Sequence, residues 1–282
     1  MSIRGAVRGL QTAILLHLLL LVVSCAPSSR SILDDATKRG FAETSIHTEA
    51  FTLFGMLRPG KGNVLHVYIE GDGHAWDTPS QPSADPTPRN PVALRLAMAD
   101  DTGAPVLYLA RPCQYVQGDG RRGCHVRFWT SARLGDEVIA SLNEAVTEAK
   151  RRIGASNVAL FGFSGGGGAV VLLAARRNDV ACLATVAGLL DTDGWTARMR
   201  VSPLTESLNP LDVAHRLRSV PQIHLCSRDD NIVPPEIAET FCKALGRPDC
   251  RIVYHDIAHT GAWEKAFPNI FSQLKAQCQP SS

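Results

Sequence analysis

The stretch Gly162-Phe163-Ser164-Gly165-Gly166 constrains this chain more than any other. An apolar run from Asn157 to Phe161 precedes it and reads as a buried strand. Gly167 to Ala175 follows and reads as a buried helix. A serine at such a junction, with glycines close on either side, fits the strand–turn–helix elbow G-x-S-x-G. The serine backbone is strained there, and neighbouring side chains would strike the strand or the helix start. The turn lifts the hydroxyl clear of the sheet, above a helix N-terminus that favours developing negative charge. Ser164 is therefore the candidate nucleophile. An incidental serine in a glycine-rich turn is the plainer alternative.

Strands and helices alternate around this elbow. Strands are predicted over Phe51–Leu57, Val64–Ile69, Val106–Ala110, Cys182–Ala187, Ile223–Cys226 and Arg251–His255. Helices are predicted after Pro91, with Asn90 as cap, and along the periodic series Val138 to Ile153. Two more follow from Ile237 to Leu245 and from Trp263 to Leu274. The alternation predicts an α/β fold with a mainly parallel sheet and helices on both faces. Right-handed crossovers would gather the loops after Ile69, Cys226 and His255 along the edge that carries the elbow.

The N-terminal segment reads as separate from this fold. Arg4 and Arg8 precede an apolar run from Ala13 to Val23, which is short for a membrane span. Val22-Val23-Ser24-Cys25 resembles a bacterial lipobox, which implies cleavage of residues 1–24 and acylation of Cys25. A signal-anchor helix and an ordinary cleaved signal are the alternatives. Ala26 after the cysteine resembles the outer-membrane sorting signal of Gram-negative lipoproteins. The expected product is an envelope lipoprotein facing the periplasm. Its domains would be a signal peptide (1–24), a polar linker (25–45) and one catalytic-size domain (46–282), with oligomeric state open.

Removing the leader's two arginines leaves 27 basic residues against 27 acidic ones. That balance argues against a nucleic-acid partner. Eight cysteines in such a chain suit an oxidising compartment. Cys113 and Cys124 flank a glycine-rich loop that a disulfide would close, making one wall of the active-site edge. Cys242 and Cys250 bracket a helix-to-strand turn and form a second candidate pair, in which Cys278 could displace a partner. Cys182 and Cys226 lie in apolar runs and read as buried thiols. No C-x-x-C or H-x-x-x-H spacing supports zinc. Glu70 and Asp72 share one loop and are a weak alternative as metal ligands.

A serine nucleophile needs a base, and the base needs an orienting acid. After the elbow come Ser227-Arg228-Asp229-Asp230-Asn231-Ile232-Val233-Pro234 and then Ile257-Ala258-His259-Thr260-Gly261-Ala262-Trp263. This order of Ser, Asp and His, from the strand before Glu70 to the C-terminus, resembles an α/β-hydrolase-fold serine hydrolase. The stretches Tyr68–Gly73, Asp85–Pro88 and Leu109–Tyr115 resemble, more narrowly, a poorly characterised family of proteobacterial exported hydrolases. The resemblance implies Asp230 as the acid, with Asp229 as alternative, and His259 as the base, with His255 as the nearest rival. It also implies an oxyanion hole made by the N–H of Gly165 and an N–H of the Glu70-Gly71-Asp72-Gly73 loop. Asp72 is favoured there, and Gly71 and Gly73 are alternatives. The departure from a His-Gly-Gly-Gly loop argues against a simple lipid esterase.

The implied activity is hydrolysis of an ester or other acyl bond of a small-molecule or envelope substrate, with no metal or organic cofactor. Acyl transfer to an envelope acceptor would use the same triad. A non-catalytic binding lipoprotein on this fold is the third reading. The segment Leu189–Arg218 is long enough for a small cap, and Pro79–Pro91 is a candidate second wall.

Overall fold

A computed structural model describes residues 29–247 and 250–267. Its centre is an eight-stranded sheet in the order β1-β2-β6-β3-β7-β8-β9-β10. The strands are β1 (Ala42–His47), β2 (Thr52–Arg58), β3 (Val64–Ile69), β6 (Val106–Leu109), β7 (Asn157–Phe163), β8 (Val180–Val186), β9 (Gln222–Ser227) and β10 (Arg251–His255). β1 and β2 are antiparallel, as are β2 and β6, and every other neighbouring pair is parallel. β4 (Trp76–Thr78) and β5 (Gln81–Pro82) form a separate two-stranded sheet.

The parallel strands β3, β6, β7 and β9 are buried along nearly their whole length. That pattern follows from covering both faces with helices. On one face, α3 (Asp136–Ile153), α4 (Gly165–Ala174) and α6 (Glu236–Leu245) supply Val138, Leu142, Val170, Leu173, Ile237 and Phe241 to one apolar cluster. On the other, α1 (Ser29–Lys38) and α2 (Val92–Met98) pack Ile32, Ala36, Val92 and Leu96 with Trp263 and Phe267. A further helix, α5 (Thr192–Met199), lies between β8 and β9.

Register places the site. Ile69 of β3 stands beside Gly162 of β7, so the loop after β3 leaves the sheet next to the elbow. His255 of β10 stands beside Ser227 of β9, so the next two loops also leave together.

The structure corrects four expectations. The segment read as a linker folds: α1 buries Ile32 and Ala36, and β1 pairs along its length with β2. Its polarity belongs to an amphipathic helix and an edge strand with little buried surface, so residues 29–45 are part of the folded body. Pro91, not Asn90, is the N-cap of α2: the Asn90 side-chain oxygen, which a cap would turn to the helix N–H groups, accepts instead from Arg95 Nε at 2.9 Å, while its amide donates to the Thr260 carbonyl at 2.8 Å. Cys182 is disulfide-bonded rather than a buried thiol; an apolar strand position accommodates either state. The loop from Cys113 to Cys124, expected as one wall of the site, is held instead against the turn between β1 and β2, where Arg122 donates to the Thr48 and Glu49 carbonyls.

Cys113–Cys124 and Cys242–Cys250 are both bridged, with Cα–Cα separations of 5.6 and 5.5 Å. Cys25, Cys278 and most of the predicted closing helix lie outside the described residues. Of that helix, the described part is a single turn at Trp263–Lys265. Among the described residues, no helix is long and apolar enough to cross a membrane.

Candidate active site

Ser164 occupies the turn between β7 and α4 with φ +51° and ψ −120°. This is a conformation that L-residues avoid unless their surroundings enforce it. Three backbone bonds enforce it here. The Ser164 N–H donates to Val186 O at 2.9 Å, and its carbonyl accepts from Gly167 and Leu189 at 2.8 and 2.9 Å. The flanking glycines are steric necessities: a Cβ on Gly162 would lie 2.2 Å from Gly166 O, and one on Gly166 would lie 2.3 Å from Ile69 O.

His259 and Asp230 reach this serine from the two loops that leave β10 and β9. The Ser164 Oγ–His259 Nε2 distance is 3.1 Å, and His259 Nδ1–Asp230 Oδ2 is 2.7 Å. The tautomer that satisfies both bonds carries its proton on Nδ1, leaving Nε2 to accept from the serine hydroxyl. Asp230 Oδ1 accepts from the N–H groups of Ile232 and Val233 at 2.8 and 2.9 Å. Burial pushes the Asp230 carboxyl up, but the His259 bond, its charge and these two amides outweigh it, so the group stays below its ordinary range. Asp229 is exposed, and its neighbour alone reaches the imidazole. The Trp263 indole donates to the His259 carbonyl at 2.8 Å and pins the loop from below. His255 sits at the end of β10 with its ring edge-on to Trp263, away from the serine.

The loop after β3 lies against the elbow. A Cβ on Gly165 would lie 2.1 Å from Asp72 Oδ1. The N–H groups of Gly165, Asp72 and Gly73 donate to nothing among the described residues, whereas Gly71 N–H is taken by Glu70 Oε1 at 2.9 Å. Two alternatives of the loop therefore keep an open donor, Asp72 and Gly73. Glu70 also accepts from Ala93 N–H and from Tyr108 Oη, and burial pushes its carboxyl up to about 7.

The Asp72 carboxylate is gripped by two arginines that no local pattern in the chain places here. Arg133 Nη1 donates to Oδ2 at 2.7 Å and Arg111 Nη1 to Oδ1 at 3.4 Å. Arg111 also donates to the Arg133 carbonyl. Arg111 stood in the Leu109–Tyr115 stretch, but a motif does not show what a side chain grips. Arg133 carried no signal beyond its type, since its partner is 61 residues away.

A cleft of about 1080 Å³ opens over Ser164 and His259. Trp195, Val201, Pro203 and Leu204 from the 189–218 segment form one wall, and Trp76, Pro79, Arg89 and Asn90 form another. No residue of the Cys113–Cys124 loop lines it. That loop instead lies behind the site, where Arg122 bonds the Thr48 and Glu49 carbonyls and Tyr115 N–H bonds Thr87. It touches the site indirectly, through Gln114 Nε2 donating to Gly71 O at 3.0 Å.

Glu70 and Asp72 are saturated by these amides, Tyr108 and arginines, an unsuitable setting for a cation. Among the described residues, ligand atoms of His224, Cys242 and Cys250 also cluster, but the two sulfurs are joined to each other.

No family model matches this sequence, and no curated protein does. Many solved structures resemble it. An acylaminoacyl peptidase from Pyrococcus horikoshii aligns with TM-score 0.63 at 13% identity, over 89% of this chain and 44% of that one. This chain thus spans less than half of that peptidase. An esterase from Pyrococcus furiosus aligns with TM-score 0.60 at 16% identity, over 85% of this chain and 92% of that one. An α/β serine hydrolase without a lid, from Xanthomonas campestris, aligns with TM-score 0.56 at 14% identity, covering 86% and 96%. The chain has the α/β-hydrolase fold.

Proposed function

We propose that this protein is a serine hydrolase that cleaves an ester or other acyl bond through an acyl-enzyme. The observation that carries this reading is the hydrogen-bonded series Ser164–His259–Asp230 at the floor of an open cleft. His259 Nε2 takes the hydroxyl proton as Oγ attacks the carbonyl carbon. Asp230, held ionised, keeps the ring in its tautomer and stabilises the imidazolium. The same proton then passes to the leaving group, and His259 activates the water that releases the acid. The open N–H groups of Gly165 and Asp72 would receive the oxyanion, and each such donor typically contributes about 2.7–4 kcal/mol.

The Asp72 carboxylate lies close to that developing charge and would oppose it if unpaired. Arg111 and Arg133 offset it, so the loop can present its amide without a net negative field.

The substrate class rests on the cleft. Trp76, Val201 and Ile232, the large apolar side chains left exposed among the described residues, all line it. Such a concentration of exposed apolar surface favours an acyl substrate with an apolar body, a small molecule or an envelope component. Acylation at Cys25 and a periplasm-facing place at the outer membrane complete the proposal on the sequence of the leader, and the disulfides agree with an oxidising compartment. A fluorophosphonate probe tests the activity: it should label the wild type and not Ser164→Ala. Equal labelling of the two proteins would remove Ser164 as the nucleophile.

A further inference from the structure

We infer that Arg133 is a specificity-determining residue that binds a compact anion, a carboxylate or a phosphate, on the substrate's acyl portion. The inference rests on the proposed hydrolase reading and adds the class of acyl group. Arg133 lies at the cleft surface yet is almost enclosed, with 8% of its side chain exposed. Its Nε donates to Thr130 O at 2.8 Å and its Nη1 to Asp72 Oδ2 at 2.7 Å. Its Nη2 donates to nothing among the described residues and is not sealed from solvent. An enclosed guanidinium with an open terminal amine is a donor awaiting an acceptor.

Charge supports the same assignment. One carboxylate, Asp72, serves two guanidiniums, since Arg111 grips its other oxygen. Arg111 is itself buried; burial and the neighbouring Arg133 work against its charge, but Asp72 favours it and a guanidinium keeps its proton in proteins. The trio therefore holds one cation more than its own anion neutralises. Glu70 also borders the cleft, but its oxygens are committed to Gly71, Ala93 and Tyr108. On the opposite wall Asp77 and Arg89 both lie within hydrogen-bond distance of His74 Nε2, one charge of each sign, so together they add no net charge there.

Asp72 links the two groups, since its open N–H is the proposed oxyanion donor and its carboxylate holds Arg133, so the anion would lie a short way along the acyl chain from the reacting carbonyl. A half-ester of a short dicarboxylic acid has that span. Trp195, with its ring centroid 5.9 Å from the Arg133 guanidinium carbon, forms an aromatic flank to this pocket.

The test compares p-nitrophenyl half-esters of succinate and glutarate with the same compounds capped as methyl esters. Wild type should favour the charged form in kcat/KM by about ten- to hundredfold, the range of a charge-assisted hydrogen bond. Arg133→Met should bring that ratio to near one, whatever its effect on neutral esters, and Arg133→Lys should restore part of it. Loss of charged and capped turnover in equal proportion would overturn the proposal, as would a wild type indifferent to charge. Should Arg133→Met not fold, protection decides on the wild type alone. Glutarate or inorganic phosphate should slow fluorophosphonate labelling of Ser164, and which of them does so separates carboxylate from phosphate. Protection by neither overturns the proposal. Labelling itself reports on the nucleophile, so failure of the hydrolase reading is seen separately.

Discussion

Asp72 lays its carboxylate directly over the Cα of Gly165, so close that a methyl group there would sit 2.1 Å from Oδ1. The residue after the serine is thereby tied to the loop that faces it. Gly165→Ala should push Asp72 and its amide away from the elbow. We predict a fall in kcat of about 10²–10³, the usual cost of a lost oxyanion donor. The measurement is ester hydrolysis alongside circular dichroism. Unchanged kcat in a folded variant would separate Asp72 from the oxyanion.

Asp230 and Asp229 are neighbours in sequence with opposite surroundings, one buried on His259 and the other exposed. Asp230→Asn should lower kcat by about 10⁴, since an amide holds the wrong tautomer. Asp229→Asn should stay within a factor of a few. Comparable losses in both variants would contradict the geometry.

Two buried groups should give stability a maximum in the mildly acidic to neutral range. The Glu70 carboxyl is pushed up to about 7 by burial, so the folded state holds a proton that the unfolded chain releases near 4.5. Its contribution is full below about 4.5 and is lost as pH rises through about 7. His224, buried and with Nε2 unpartnered, is pushed down from 6.5 to about 4. Its contribution is full above 6.5 and is lost as pH falls towards 4. Thermal unfolding from pH 4 to 9 should show both limbs, with Glu70→Gln flattening the alkaline one. An alkaline limb unaltered in Glu70→Gln would place the titration elsewhere.

The Cys113–Cys124 bridge closes a separation of 11 residues, for which chain entropy suggests about 3 kcal/mol. Replacing both by serine should lower Tm. The loop meets the site through Gln114, which is buried and bonds both Arg111 N–H and Gly71 O, so Gln114→Ala should lower kcat and also lower Tm by leaving those two groups unpaired. A Gln114→Ala protein as active as wild type would show that the loop serves the fold alone.

Fatty-acid labelling in cells should mark wild type and not Cys25→Ser. Equal incorporation would refute the lipid anchor.

The parts of the fold that were legible in sequence share a cause. β3 and β10 matched their predicted limits because each is an apolar run between turn residues. α3 was legible because its buried positions recur at helical spacing. α1 and β1 were not, since three side chains carry their burial: Ile32, Ala36 and Ile46. In the site, Ser164, Asp230 and His259 stood at positions that chain order marks. Arg133 bonds a carboxylate far away in sequence, and contact across the fold leaves no local pattern. The same holds for Asn90, whose amide meets the Thr260 carbonyl 170 residues away.

The position of helix α1 has a consequence for any membrane attachment. With helix α1 beginning at Ser29, three residues separate it from Cys25. Even fully extended, so short a leash spans about 10 Å. An acylated Cys25 would thus moor the protein nearly flush with the bilayer, allowing it to swivel but not to roam. Substrates would have to diffuse to that surface or already reside in it.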